Sequence, residues 1–175
     1  MRGDFAPWVG AMILDVNQPL LLVADEGMEE ETITRLSRVG FDNVLGFLKG
    51  GFKSWKEEKK EIDTVNRINA DQFKHELQVG VSKVIDVRKE TEYEAEHVEE
   101  AFSRPLSSIN LWFSELKSDE PFYLHCAGGY RSMIAASILK ARGIHNFKEV
   151  DGGFNSIAKV GVPKTNFICQ SKLVK

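Results

Sequence analysis

The sequence predicts an α/β protein of three layers, in which a central parallel sheet is flanked by helices and preceded by a partial second copy of the same unit. Three observations predict it. Short continuous apolar runs, Leu20-Leu21-Leu22-Val23 and Phe122-Tyr123-Leu124, are too short for independent helices and too apolar for a solvated strand, which fits a parallel sheet covered on both faces. Each run is followed by a loop, an amphipathic stretch, a glycine and a further strand entering a Gly-Gly turn. Strand, helix, strand in that order builds parallel sheets with right-handed crossovers. The whole order also occurs twice: Pro19 corresponds to Pro121, Gly40 to Gly143, and Gly50-Gly51-Phe52 to Gly152-Gly153-Phe154, at offsets of 102, 103 and 102 residues.

Element by element, the first copy (1–62) holds the strand from Leu20, a helix ended by Gly40 as its C-terminal cap, and a second strand running into Gly50-Gly51. Only 18 residues precede Pro19, so the front half of this copy is absent from the chain. The charged stretch Lys56-Glu57-Glu58-Lys59-Lys60-Glu61 reads as a solvated helix end or linker between the copies. The second copy (63–175) begins with a helix capped by Asn69 or Asp71 and running through about Leu77, then the strand Lys83–Val87. The loop Arg88 to Ala101 and the segment Leu106 to Leu116 lead to the strand at Phe122, and a helix Met133 to Arg142 ends at Gly143. Trp8, Trp55, Trp112 and the phenylalanines read as core.

At 175 residues the chain is long for one domain and short for two. Its 42% hydrophobic and 28% charged residues exclude intrinsic disorder and collagen. A net charge of -3 and a pI near 5.9 supply no general attraction to nucleic acid or to an anionic membrane. Cys126 and Cys169 cannot form a disulfide framework, and the four histidines, His75, His97, His125 and His145, are scattered without metal-ligand spacing. No metal and no cofactor are expected. No apolar run approaches the roughly 18 residues that span a bilayer, and Met1-Arg2-Gly3-Asp4 lacks the apolar core of a signal peptide. A reducing cytoplasm is the expected compartment.

The chemistry is concentrated in His125-Cys126-Ala127-Gly128-Gly129-Tyr130-Arg131-Ser132, between an apolar strand and a helix. At such a turn, successive backbone N–H groups point inward and the following helix adds its positive N-terminal end. A cysteine at the start of that cradle should have its thiolate favoured by the N–H groups, the helix end and Arg131, and the thiolate is the nucleophile.

Cys126, Gly129, Arg131 and Ser132 give Cys, four residues, Arg, Ser. This resembles the active-site loop of the rhodanese family of sulfurtransferases, commonly Cys-x-x-Gly-x-Arg. Asp86-Val87-Arg88, Glu92-Tyr93 and His97 match that family's Asp-x-Arg, Glu-Tyr and Gly-His-Ile-Pro-Gly-Ala segments in order, and Gly152-Gly153-Phe154 matches its terminal turn. The last-named loop departs from the pattern: Glu96-His97-Val98-Glu99-Glu100-Ala101 lacks both glycines and the proline. An aromatic usually follows the Gly-Gly turn; Trp55 fills that place in the first copy and Ile157 in the second.

The resemblance implies a thiosulfate sulfurtransferase in which Cys126 attacks a small sulfur donor, holds the outer sulfur as a persulfide and passes it to cyanide or a thiol. It further implies that Ala127, Gly128, Gly129, Tyr130 and Ser132 bind substrate, that Arg131 takes part in catalysis and steers an anionic donor, and that Asp86 and Arg88 support the site. Two alternatives stay open: a noncatalytic rhodanese-like module that binds or regulates a partner, and an enzyme similar to cysteine phosphatases and arsenate reductases, whose loops place five residues between Cys and Arg. Asp86 and Arg88 also have a structural reading, Arg88 paired with Glu92 and Asp86 holding loop amides. His97 and His125 read as loop packing, and Cys169 as a packed or bystander thiol. The first copy has Ala24-Asp25-Glu26-Gly27-Met28-Glu29 in place of the cysteine loop and is expected to be inactive. Tandem copies with one inactive member resemble the C-terminal part of metallo-β-lactamase/rhodanese fusion proteins. The exposed edge of a half-copy needs cover, by a second chain in a homodimer, by the catalytic domain or by a further N-terminal domain.

Overall fold

The structure, a computed structural model, describes residues 5–80, 83–117 and 119–167. It divides into two compact units, Met1–Asp63 and Thr64–Lys175.

The first unit runs α1 (Phe5–Met12), β1 (Leu20–Leu22), α2 (Glu29–Ser37), β2 (Val44–Phe47) and α3 (Gly51–Glu57). Three acids open α2, where the helix dipole favours negative charge. The helix closes with Phe41 N–H on Leu36 O and Gly40 N–H on Ser37 O, both 3.0 Å, the bonding of a Schellman cap. The two strands pair in parallel, with a register shift between Leu20 and Leu21. Val9, Leu20, Leu36 and Phe41 form the core, with Phe5, Ile13, Leu22 and Val44 packed against it. The expectation that the Leu20–Val23 run is covered on both faces is corrected here: Leu21 and Val23 are exposed, as is Leu45 on β2. The helical side chains of this core gather on the Leu20 and Leu22 side, so the strand alternates in burial. Nor are all the aromatics core, because Phe47, Phe52 and Trp55 are exposed.

The second unit runs β3 (Arg67–Ile68), α4 (Ala70–Val79), β4 (Lys83–Asp86), α5 (Glu90–Ala95), β5 (Phe102–Ser103), α6 (Ile109–Trp112), β6 (Phe122–His125), α7 (Tyr130–Ala141), β7 (Phe147–Val150) and α8 (Gly153–Ile157). Short 3₁₀ turns, Leu106–Ser108 and Phe113–Glu115, flank α6. Among the described residues the sheet is five-stranded, all parallel, in the order β3-β7-β6-β4-β5. Four of the central positions, Phe122 to His125, are buried without interruption, as a strand between two covered faces requires. On one face α4 and α8 share a core with Ile68, Val84, Tyr123 and Val150. On the other, α7 packs on β6, β7 and the first 3₁₀ turn.

Of the two candidate caps for α4, Asn69 serves: its side chain accepts from Gln72 N–H at 2.8 Å, and Gln72 Oε1 accepts from Asn69 N–H at 3.0 Å. The segment read as the loop Arg88 to Ala101 contains α5. Gly143 closes α7 with the same pair of bonds as in the first unit, Ile144 N–H to Leu139 O and Gly143 N–H to Lys140 O. Trp112 is buried, whereas Phe102 and Phe167 are exposed. No helix among the described residues is long and apolar enough to cross a membrane.

Candidate active site

Parallel pairing brings the carboxyl ends of β4, β6 and β7 to one edge of the sheet, where ligand crevices form in open α/β folds. Cys126 follows β6 at that edge and is 1% exposed. Its Sγ accepts the Gly129 N–H at 3.2 Å and lies 3.4 Å from Ser132 Oγ. Gly129 has φ +97 and immediately precedes α7, so the turn is tight enough to fold its amide back onto the sulfur.

The Gly-Gly turn ahead of α8 holds this loop from beneath. Phe154 N–H donates to Cys126 O at 2.7 Å and Asn155 N–H to Ala127 O at 3.0 Å. Gly153 has φ +55, and a Cβ there would lie 2.3 Å from Cys126 O, so only glycine fits. Ala127 is half-buried, while Gly128 and Tyr130 are exposed at the mouth.

Arg131, expected to steer an anionic donor, is engaged by a carboxylate. Its Nη1 and Nη2 donate to the Glu92 carboxylate at 2.5 and 2.9 Å. The hydrogen bonds to Glu92, against the opposing effect of burial, raise the Arg131 pKa; the same bonds from Arg131 hold the Glu92 carboxyl below its ordinary range. Glu92 is thus taken by Arg131 and not by Arg88. Arg88 instead pairs with Asp86, Nε reaching both carboxylate oxygens at 3.0 and 2.8 Å, and its guanidinium stacks 4.1 Å above the Phe154 ring. Asp86 Oδ1 also accepts the Arg88 N–H at 3.0 Å, the loop-amide role expected of it.

His97 stacks on Tyr93 with ring centroids 3.7 Å apart, and its Nδ1 lies 2.7 Å from Tyr93 O. His125 is wholly buried; burial pushes its pKa down, so the ring is neutral at neutral pH. His97 thus packs within its loop, whereas His125 is the last residue of β6. Glu100 takes φ +61, the left-handed region, at the position where the Gly-His-Ile-Pro-Gly-Ala segment has its second glycine. Cys169 lies outside the described residues.

Two residues went unnoticed in the sequence. Glu149 on β7 is 0% exposed and accepts the Ser132 hydroxyl at 2.6 Å. Arg67 on β3 donates from Nε to Glu149 at 2.8 Å and from Nη2 to Asp151 at 2.5 Å. The available signal was a charged residue inside the run Phe147-Lys148-Glu149-Val150, at a strand position that a parallel sheet buries. A cavity of about 400 Å³ lined by Asn66, Phe122, His145 and Phe147 opens at the amino ends of β6 and β7, away from the cysteine.

The profile of the Rhodanese-like domain family matches residues 69–159 of this chain, a span that includes every loop just described. The chain belongs to the rhodanese-like family. Among relatives of this rhodanese-like protein, the uncharacterized protein YqhL of Bacillus subtilis is 34% identical over 90 residues, covering 50% of this chain and 71% of YqhL. YrkF of Bacillus subtilis, named as a proposed sulfur carrier protein, is 28% identical over 99 residues, covering 56% of this chain and 52% of YrkF, about half its length. The crystal structure of a rhodanese-related protein from Thermoplasma volcanium is 27% identical with a TM-score of 0.53, covering 57% of this chain and 97% of that one.

Proposed function

We propose that the second unit is a sulfurtransferase that carries a sulfane sulfur on Cys126. The arrangement supporting this is the Cys126 sulfur seated on the Gly129 N–H at the head of α7, in a loop clasped by the Phe154 and Asn155 amides and by the Arg131–Glu92 pair. The Cys126 thiolate attacks the outer sulfur of thiosulfate; a new S–S bond forms on Cys126, the donor S–S bond breaks, and sulfite leaves with the electron pair. A thiol or cyanide then attacks the outer sulfur and expels Cys126 as thiolate, so one nucleophile serves both half-reactions. The amides and side chains from Ala127 to Ser132 cradle the persulfide. A guanidinium has five N–H donors, of which Glu92 engages two groups, so Arg131 retains donors for an anionic substrate.

The first unit we read as a partial, inactive copy. Its β1–α2–β2 order parallels β6–α7–β7, and a Cβ on Gly51 would lie 2.2 Å from Ala24 O, as one on Gly153 would from Cys126 O. Ala24 and Glu29 stand where the nucleophile and arginine stand. Its exposed apolar strand face is then covered by a second chain or a further domain, in a reducing cytoplasm.

The test is intact mass after incubation with thiosulfate. Wild type is expected to gain one sulfur atom, lose it to cyanide with release of thiocyanate, and do neither as Cys126→Ser. Turnover by that variant would overturn the proposal. YrkF's name favours a second reading, a sulfur carrier, for which the mass rises without steady thiosulfate:cyanide turnover.

A further inference from the structure

Glu149 has no exposed surface, yet it lies one hydroxyl away from the nucleophile. Its Oε1 accepts Ser132 Oγ–H at 2.6 Å, its Oε2 accepts Arg67 Nε–H at 2.8 Å, and Ser132 Oγ stands 3.4 Å from Cys126 Sγ. A hydroxyl has one proton and two lone pairs. Gly129 O is a second acceptor within reach, at 3.1 Å, but bonds from O–H to a carboxylate are the short, strong ones, so at 2.6 Å that proton goes to Glu149. Ser132 therefore turns a lone pair toward Sγ. It can accept an S–H bond from the thiol and has no proton to donate to a thiolate, whose support is then the Gly129 N–H and the charge of Arg131, itself paired with Glu92.

We propose that Glu149, acting through Ser132, is a positioning residue that favours the thiol form of unloaded Cys126 and so restrains the empty nucleophile. This rests on the reading of Cys126 as the sulfur-carrying residue. The restraint falls on the empty protein in particular, because in a persulfide Sγ is the inner sulfur, bonded on both sides and carrying no proton. Arg67 fixes the polarity of the chain of bonds. It can only donate, so the carboxylate must face it with one oxygen and face Ser132 with the other.

The same polarity makes Glu149→Gln informative. The amide oxygen must turn to Arg67, which places the amide N–H₂ on Ser132; Ser132 then accepts from Gln and its proton is released to Sγ or to Gly129 O, 3.4 and 3.1 Å away. The change is nearly isosteric and removes a buried negative charge near the sulfur.

The experiment follows thiolate ultraviolet absorbance against pH, each protein corrected by its own Cys126→Ser counterpart. In Glu149→Gln the titration midpoint is expected to move down by about one pH unit, a roughly tenfold rise in thiolate at a fixed pH below both midpoints. In Ser132→Ala the midpoint is expected to fall as well, because the acceptor that favours the thiol is lost and no donor to the thiolate has been. An unchanged or raised midpoint in either variant overturns the proposal. Should Glu149→Gln fail to fold, Ser132→Ala decides alone. The readout needs no sulfur donor: a lowered midpoint in a protein that forms no persulfide would sink the transfer reading and leave the Glu149 restraint standing.

Discussion

Both terminal nitrogens of Arg131 are bonded to the two carboxylate oxygens of Glu92, at 2.5 and 2.9 Å, joining the first turn of α7 to α5 across 39 residues of sequence. The pair ties the cysteine loop to the neighbouring strand connection, and most of it is shielded from water, with side-chain exposures of 15% and 29%. Its main effect is therefore on the shape of the loop.

Arg131→Ala is expected to lose about 1.5–3 kcal/mol of stability at pH 7, the range for hydrogen bonds to charged groups. Glu92 is held below its ordinary pKa by Arg131, so the stabilisation is present above about pH 4.3 and is lost as pH falls through the lower folded value. Urea unfolding at pH 7 and pH 3 checks this. The gap between wild type and variant should be narrower at the lower pH.

Gly153→Ala puts a methyl 2.3 Å from Cys126 O at a backbone φ of +55. Backbone strain and overpacking together should cost about 2–4 kcal/mol. Because the displaced atom belongs to the peptide of Cys126, the persulfide formation proposed for that residue should fall in the fraction that remains folded. Thermal unfolding beside the mass assay separates the two effects.

His125 resists protonation because burial lowers its pKa. The unfolded chain takes up a proton near pH 6.5 while the folded chain does not, so stability falls as pH drops below about 6.5, down to the lower folded value. In His125→Gln that part of the slope should vanish. Equal losses of urea midpoint between pH 7.5 and 5.5 in the two proteins would contradict it.

Glu100→Gly relieves a left-handed residue, φ +61, in an exposed loop. The αL penalty of roughly 1–2 kcal/mol is partly offset by the greater freedom of glycine in the unfolded chain. A net gain of about 0.5–1 kcal/mol is expected, seen as a higher melting temperature.

Much of this was legible beforehand because it is local. The apolar run Phe122 to Leu124 marks β6, Gly143 marks the end of α7, and the spacing from Cys126 to Arg131 marks the loop. The half-exposed β1 was not legible, since Leu20 to Val23 reads as buried on both faces until the number of layers around it is known. Likewise Glu100 hides a left-handed turn because its residue type argues against one.

Local patterning alone thus determined the α/β class, the strand–helix–strand order and a cysteine seated in a strand-to-helix loop. The tertiary structure decided the charges around that cysteine: Arg131 with Glu92, Arg88 with Asp86, and Ser132 with Glu149 and Arg67. The Arg131, Ser132 and Arg67 pairings close over 39, 17 and 82 residues. They exist because the strand order β3-β7-β6-β4-β5 sets β3 and β7 side by side and points Glu149 at α7. Such meetings follow from packing whole elements together, and no propensity or spacing within one element encodes them.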